Sequence, residues 1–413
     1  MVVAKCLVMT ITMLIVAHCE NNVNIVKKVF LKKDREKLWL SGHPWIYSGA
    51  IDKIEQNIIP GSVVEVFNYK DEFIGYGHYN KNSKITVRML EHNKNKSIDL
   101  NWYNDKIKQS FTLRNSLNIE SNAFRLIHSE SDFLPGLIVD YFNEYVVIQI
   151  STLGMEKDKD LIIQALINNI PNLKGIYEKS ESDGRKLEGL PEKIQVLWGE
   201  IPDTIEIFEG KANFIIDLKG QKTGFYSDQR ENRILIGKLA KGKSFLDVCS
   251  YTGGFSLHAM SNGANSATLI DISEDALNVA KKNLKNYNNI EFIKGNIFNI
   301  LRDLVKENRK WDIVSLDPPK LAPSKRDLDK ALKAYKDIIL NGIKLTNKGG
   351  LLAIYSCSGA VTSNDLRMAL AYAVKDAGVK ATIIHQLHQS SCHPISVSVP
   401  ETEYLKGFLV RII

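Results

Sequence analysis

Four short apolar runs in the second half of the chain each end in a residue able to do chemistry. Phe245 to Val248 leads into the loop Ser250-Tyr-Thr-Gly-Gly-Phe255, and Ala267 to Ile270 closes on Asp271. A third run closes on Asp317-Pro-Pro319, and Leu351 to Tyr355 closes on Ser356-Cys-Ser358. Short buried strands of an open parallel sheet read in this way, and such sheets bind ligands beyond the carboxyl ends of their strands. The glycines at 253 and 254 let backbone approach a ligand at the start of a helix. A carboxylate at 271 can accept both hydroxyls of a ribose. The loop lacks the G-x-G-x-x-G spacing of nicotinamide enzymes, so a different nucleoside cofactor is expected. A nucleoside site, an acid-Pro-Pro turn and a thiol on one sheet edge point to methyl transfer onto a pyrimidine ring.

The elements that must hold these residues alternate. From about residue 204 onward strands alternate with helices, which are expected over Phe255–Asn262, Glu274–Tyr287, Lys330–Leu345 and Ser363–Ala377. That pattern implies βαβ crossovers and a mostly parallel sheet. Residues 98–203 mix two helices with strands such as Tyr145–Ile150 and read as a central α/β domain. Residues 25–97 carry alternating runs (Ser62–Phe67, Phe73–Tyr76, Ile85–Leu90) between turn residues and read as a small β-rich unit. At 413 residues, several domains are expected.

Apolar residues make up 44% of the chain and charged residues 24%, as in globular proteins. The net charge is +7, and the first 100 residues hold 14 Lys+Arg against 10 Asp+Glu, or +4. The basic side chains Lys32, Lys33 and Arg35 precede Gly42-His-Pro-Trp45. Cations beside exposed aromatics can pair with phosphates and stack on bases, so Trp45 and these three are the candidate RNA contacts. The five cysteines are scattered, with no C-x-x-C pair, which disfavours both a disulfide framework and a zinc site and fits a reducing cytoplasm. His385, His388, Cys392 and His393 lack a second ligand cluster, so no metal is expected. Residues 1–24 form an apolar extension. Lys5 and the run Cys6–Ala17 resemble a signal peptide, but Val16-Ala-His-Cys19 is a poor cleavage site. The run is also shorter than the ~20 apolar residues of a membrane span. A start-site artefact or a disordered extension is the expected explanation, and no membrane partner is expected.

With these motifs in hand, the chain resembles the class I S-adenosylmethionine-dependent methyltransferases that modify cytosine carbon 5 in large-subunit ribosomal RNA. The likeness covers roughly residues 25–413. It is carried by Gly42-His-Pro-Trp45, Glu130-Ser-Asp-Phe-Leu-Pro-Gly-Leu137 and Lys222-Thr-Gly-Phe-Tyr-Ser-Asp-Gln-Arg-Glu-Asn-Arg233. It continues through Ser250–Phe255, Asp317-Pro-Pro-Lys320, Ser356-Cys-Ser358 and Pro400-Glu-Thr-Glu-Tyr-Leu-Lys-Gly407. The resemblance implies an α/β protein: an N-terminal PUA-type β-barrel that binds RNA, the central α/β domain, and a Rossmann-like class I methyltransferase domain over 204–413. It places S-adenosylmethionine over Tyr251, Thr252, Gly253, Gly254 and Phe255, with Asp271 on the ribose and Gln229 and Arg233 close by. Asn296 stands where the family often has an Asp beside adenine. Ribosomal RNA is the implied partner, and the oligomeric state stays open, a homodimer being one option.

The implied chemistry uses Cys357 and Asp317. Carbon 5 of cytosine becomes nucleophilic only after a thiolate adds to carbon 6, and a carboxyl group near ring nitrogen 3 can stabilise the charge that develops. Cys249 is expected to pack rather than react. Two other readings stand beside this one. Enzymes that methylate an exocyclic amine usually place an aromatic after the second proline, where this chain has Lys320. A ribosome-assembly RNA-binding protein without turnover would have no use for Asp271, Asp317 and Cys357 together.

Overall fold

The computed structural model describes residues 26–218 and 224–413. The 1–24 extension lies outside them.

Residues 27–91 form a six-stranded sheet in the order Trp45–Tyr47, Ile85–Glu91, Phe73–Tyr79, Val63–Phe67, Lys27–Leu31, Ile51–Ile54. Its alternating apolar residues, among them Val29, Leu31, Val64, Val66, Val87 and Met89, fill one small core. The unit docks on the central domain through polar pairs. His78 Nε2 lies 2.9 Å from Asp158 Oδ2, Arg88 Nη1 donates to Glu188 Oε1 at 2.8 Å, and Asn80 Nδ2 donates to Glu188 Oε2 at 2.8 Å. The central domain is a five-stranded mixed sheet over 123–199, packed against the Leu100–Ser116 and Lys159–Asn169 helices.

After the hairpin Ile205–Glu209 and Ala212–Ile216 comes a seven-stranded sheet. Its order is Ile290–Lys294, Ser266–Asp271, Ser244–Val248, Trp311–Leu316, Thr346–Ser356, Lys406–Ile412, Ala381–His388. The first five strands are parallel, and Lys406–Ile412 runs antiparallel to both of its neighbours. Chain order reverses at Ser244–Val248, whose neighbours are the next strand on one side and Trp311–Leu316 on the other. A crevice opens at such a switch point. Register then does the rest. Val248 stands opposite Ile270 and Leu316, and Leu316 opposite Ile354. Cys249, Asp271, Asp317 and Cys357 therefore leave the sheet on one edge.

The helices match expectation with one difference. The Ser363–Ala377 helix has the expected bounds, and Gly254–Ser261 and Leu328–Leu345 differ by one or two residues. The helix from Glu274 stops at Asn283, four residues short of Tyr287. Asn283 is tied sideways, donating to Thr252 O at 3.1 Å and accepting from Ile215 N at 2.8 Å, and the chain then turns through Asn286, Asn288 and Asn289. Asparagine favours such turns over helix continuation.

Candidate active site

A cavity of about 600 Å³ opens at the switch point, walled by the loop after each of the four strands, by residues 225–233 and by Tyr404 and Leu405. Its first wall is the 249–255 loop. Cys249 and Tyr251 have positive φ (62° and 48°), and Gly253, at φ 79°, could carry no side chain without meeting Leu269 at 3.0 Å. Asp271 shapes this loop: its Oδ2 accepts Tyr251 N–H at 2.8 Å and its Oδ1 accepts Ser273 N–H at 2.9 Å. Beneath it, Asp247 accepts both the N–H and the hydroxyl of Ser256, holding the first turn of the Gly254–Ser261 helix. Thr252 and Phe255 are buried on the wall, and Phe255 lies 5.3 Å from the Tyr355 ring. Asn296 caps the Ile297–Lys306 helix through its Oδ1, which accepts Phe298 N–H, and also lines the cavity.

The chemistry for which Asp317 and Cys357 were singled out meets at the opposite wall. Asp317 Oδ2 accepts a hydrogen bond from Gln229 Nε2 at 3.1 Å, and Gln229 Oε1 is fixed by Asn232 Nδ2 at 2.6 Å. Burial pushes the Asp317 carboxyl up to about 7, and the Asp228 carboxylate adds to that rise, against the opposing Gln229 hydrogen bond. Near neutral pH it can therefore carry a proton to give. Cys357 Sγ lies 4.0 Å from the Pro318 carbonyl oxygen, which puts the thiol beside the Asp-Pro-Pro turn. Both flanking serines face away to neighbouring elements. Tyr335 OH donates to Ser356 Oγ at 2.8 Å, and Ser358 Oγ accepts Ala322 N–H at 3.1 Å. Lys406 Nζ donates to the carbonyls of Ser358 and Val361, and burial lowers its pKa while Glu403 and Cys357 oppose that shift.

Arg233 touches the cavity but is held from behind. Its Nε and Nη2 form a bidentate pair with Glu209 (2.7 Å each), and its Nη1 donates to Tyr226 O at 2.8 Å. His258 Nε2 also lies 2.9 Å from Glu209. Burial alone would raise the Glu209 pKa, but Arg233 and His258 overcome it and hold the group at about 2. Arg233 thus positions Tyr226 and the floor under Gly254 rather than offering a vacant fork to a ligand. Glu209, Tyr226, Asp228, His258 and Tyr404 were not singled out by the sequence. Tyr226, Asp228 and Tyr404 lie inside quoted motifs, and that was the one signal available.

The four candidate RNA contacts separate. Lys32, Lys33 and Arg35 are exposed, and Lys32 and Lys33 line a groove of about 300 Å³ with Lys53 and Tyr69. Trp45 is half-buried, and its indole N–H donates to Glu130 Oε1 of the central domain at 2.9 Å. Its ring is part of a domain contact. The exposed ring beside the lysines is Tyr69, with Lys33 and Lys70 ammonium groups 5.9 and 5.6 Å from its centroid.

The cavity residues fit a nucleoside with a sulfonium group. Asp271 lines the cavity beside the loop, Gly253 and Gly254 carry no side chain there, and Ser250 Oγ and Asp228 Oδ1 are buried without hydrogen-bond partners among the described residues. Comparison with known proteins gives the lineage. A profile of the PUA-like domain matches residues 29–92, and one named Conserved hypothetical protein 95 matches residues 232–338. Ribosomal RNA large subunit methyltransferase I of Aeromonas hydrophila is 37% identical, over 93% of this chain and 98% of its own length. The protein of that name from Tolumonas auensis is 38% identical, over 93% and 99%. The chain belongs to this family. Among solved structures, SMU.776, a methyltransferase complexed with SAH, overlays with a TM-score of 0.80 at 22% identity, covering 93% of this chain and 99% of that one. A SAM-dependent methyltransferase from Streptococcus mutans gives 0.78 at 22% identity, with the same coverage. Both share the fold: a PUA-like unit ahead of a Rossmann-like methyltransferase domain is common architecture here. No helix among the described residues is long and apolar enough to cross a membrane.

Proposed function

We propose that this member of the large subunit methyltransferase I family methylates carbon 5 of a cytosine in large-subunit ribosomal RNA in the cytoplasm, through a covalent bond between Cys357 and carbon 6. The observation that carries the reading is a carboxyl group pushed up to about 7 on the same sheet edge as a thiol. The family supplies the methyl-transfer class and the RNA partner. The residues of the 251–255 loop, with Asp271 and Asn296, would hold S-adenosylmethionine. When bound, it supplies a methyl group on a positively charged sulfur.

The chain's own groups would do the remainder. The Cys357 thiolate adds to carbon 6, and the displaced electron pair moves through carbon 4 to ring nitrogen 3, which takes the proton of Asp317. Carbon 5 is then electron-rich and takes the methyl group. Nitrogen 3 returns its proton to Asp317, which is ready for the next cycle. The turn at Pro318 and Pro319 has no N–H to offer and presents carbonyl oxygens to the exocyclic amine.

The test is a trap. Large-subunit RNA carrying 5-fluorocytosine at the target should form a denaturant-resistant complex with the wild-type protein and none with Cys357→Ala. The same substitution should abolish methyl transfer to normal RNA while leaving cofactor affinity nearly unchanged, because the thiolate acts during addition. Substantial methylation by Cys357→Ala would overturn the assignment and favour transfer to an exocyclic amine.

A further inference from the structure

Methylation at carbon 5 ends only when that carbon loses its proton, and a base must take it. Asp317 is committed to nitrogen 3. The other cavity-lining groups narrow the choice quickly, and no histidine lines the cavity among the described residues. The phenols of Tyr226 and Tyr251 are pushed upward by burial, as is the Cys249 thiol. Each therefore keeps its proton. Asp271 has both oxygens on backbone N–H groups, of Tyr251 in the glycine loop and of Ser273 just after it in the chain. Lys320 is an exposed cation. One carboxylate is left.

Asp228 lies in the single turn Ser227–Gln229, whose next residue, Gln229, holds Asp317. Its Oδ2 accepts Tyr404 OH at 2.7 Å, which fixes the group on the cavity wall. Its Oδ1 is buried and has no hydrogen-bond partner among the described residues. An unpaired buried carboxylate oxygen costs stability, so its retention at a reaction cavity points to a task. We infer that Asp228 is the base that removes the carbon-5 proton, an inference that rests on the cytosine reading above. After methyl transfer, carbon 5 carries both a hydrogen and the new methyl group. Asp228 Oδ1 takes the hydrogen as a proton, and the C–H electron pair becomes the carbon 5–carbon 6 double bond. The carbon 6–sulfur bond breaks, its pair leaving on Cys357 as thiolate. Asp228 then gives its proton to water.

The charge of Asp228 beside Asp317 helps hold the proton on Asp317.

Blocking the base should leave the enzyme stuck to methylated RNA. With methyl-labelled S-adenosylmethionine and ordinary RNA, Asp228→Asn should accumulate a labelled, denaturant-resistant protein–RNA complex approaching one per enzyme. Turnover should fall about 100-fold or more. The double variant Asp228→Asn/Cys357→Ala should form none. Asp228→Glu, which keeps a carboxylate, should clear the complex faster than Asp228→Asn. Unchanged cofactor affinity would exclude a folding defect. Turnover of Asp228→Asn within about threefold of wild type, loss of turnover without the labelled complex, or equal persistence in the Asn and Glu variants would each overturn the inference. If wild type traps 5-fluorocytosine RNA and Asp228→Asn shows one of those outcomes, only the base assignment fails. If wild type does not trap, the cytosine reading fails with it.

Discussion

Asp317→Asn should destroy activity and stabilise the fold, by an amount that grows with pH. The carboxyl group ionises at about 7 in the cavity wall against 3.8 in the unfolded chain, with burial as the main cause and the Asp228 charge behind it. Below pH 3.8 both folded and unfolded chains hold the proton, and the group costs nothing. Between 3.8 and 7 the unfolded chain releases it while the folded chain keeps it, so stability falls as pH rises. Each pH unit of separation corresponds to about 1.4 kcal/mol. Integrated, the penalty is about 1.7 kcal/mol at pH 5 and about 4.3 kcal/mol at pH 8, a difference of about 2.6 kcal/mol; water in the open cavity screens part of this, so about 2 kcal/mol is expected. Asparagine removes the titration and still offers an oxygen to Gln229 Nε2. The measurement is hydrogen exchange of the Trp311–Leu316 and Thr346–Ser356 strands in denaturant, at pH 5 and pH 8, without cofactor. The variant should gain about 2 kcal/mol on wild type between those two pH values. An advantage that does not change with pH, or one that shrinks, would refute the argument that a desolvated, protonated carboxyl group sits there.

Other consequences follow from the same contacts. Asp271→Ala should weaken S-adenosylmethionine binding by about 1.5–3 kcal/mol in calorimetry, since it removes both a charged acceptor and the anchor of the 251–255 loop. Glu209→Gln should destabilise the methyltransferase domain by about 3–5 kcal/mol, because it leaves Arg233 without its buried counter-charge. Chemical denaturation with and without cofactor would read this as a lower midpoint in both. Lys33→Ala and Lys53→Ala should each lower the salt slope of RNA binding by about 1 and leave cofactor affinity unchanged; an unaltered slope would remove their groove from the RNA path.

The residues that could be found in the sequence were those whose position follows from a strand end. Parallel strands buried on both faces read as apolar runs, so the polar residue that ends each run marks the ligand edge. Asp271, Asp317 and Cys357 follow that rule, and the register places them together. Asp228 and Tyr404 could not be paired by it, because 176 positions separate them and only the packing of residues 225–233 against the last strands brings them to one wall. The same holds for Glu209, which meets Arg233 and His258 across 24 and 49 positions. The contact between Trp45 and Glu130 was hidden for a related reason. Whether an aromatic on an edge strand is exposed depends on the next domain, and Glu130 lies 85 positions away.

Ser356-Cys-Ser358 shows why a thiol needs such long-range support. A nucleophile that adds to one ring carbon must be held within about 0.5 Å of its working position, on elements that do not give. Each neighbour of Cys357 is tied to a different part of the domain. Ser356 is tied to Tyr335 on the Leu328–Leu345 helix, and Ser358 to Ala322 in the loop that follows Asp317. Lys406, on the antiparallel strand, holds the carbonyls beyond. The loop carrying the thiol is thereby joined to the loop carrying the acid, and a shift in one moves the other. The hydroxyls at 356 and 358 are engaged in that scaffold. The spacing between thiol and carboxyl group is thus set by the sheet and its ties, before any RNA arrives.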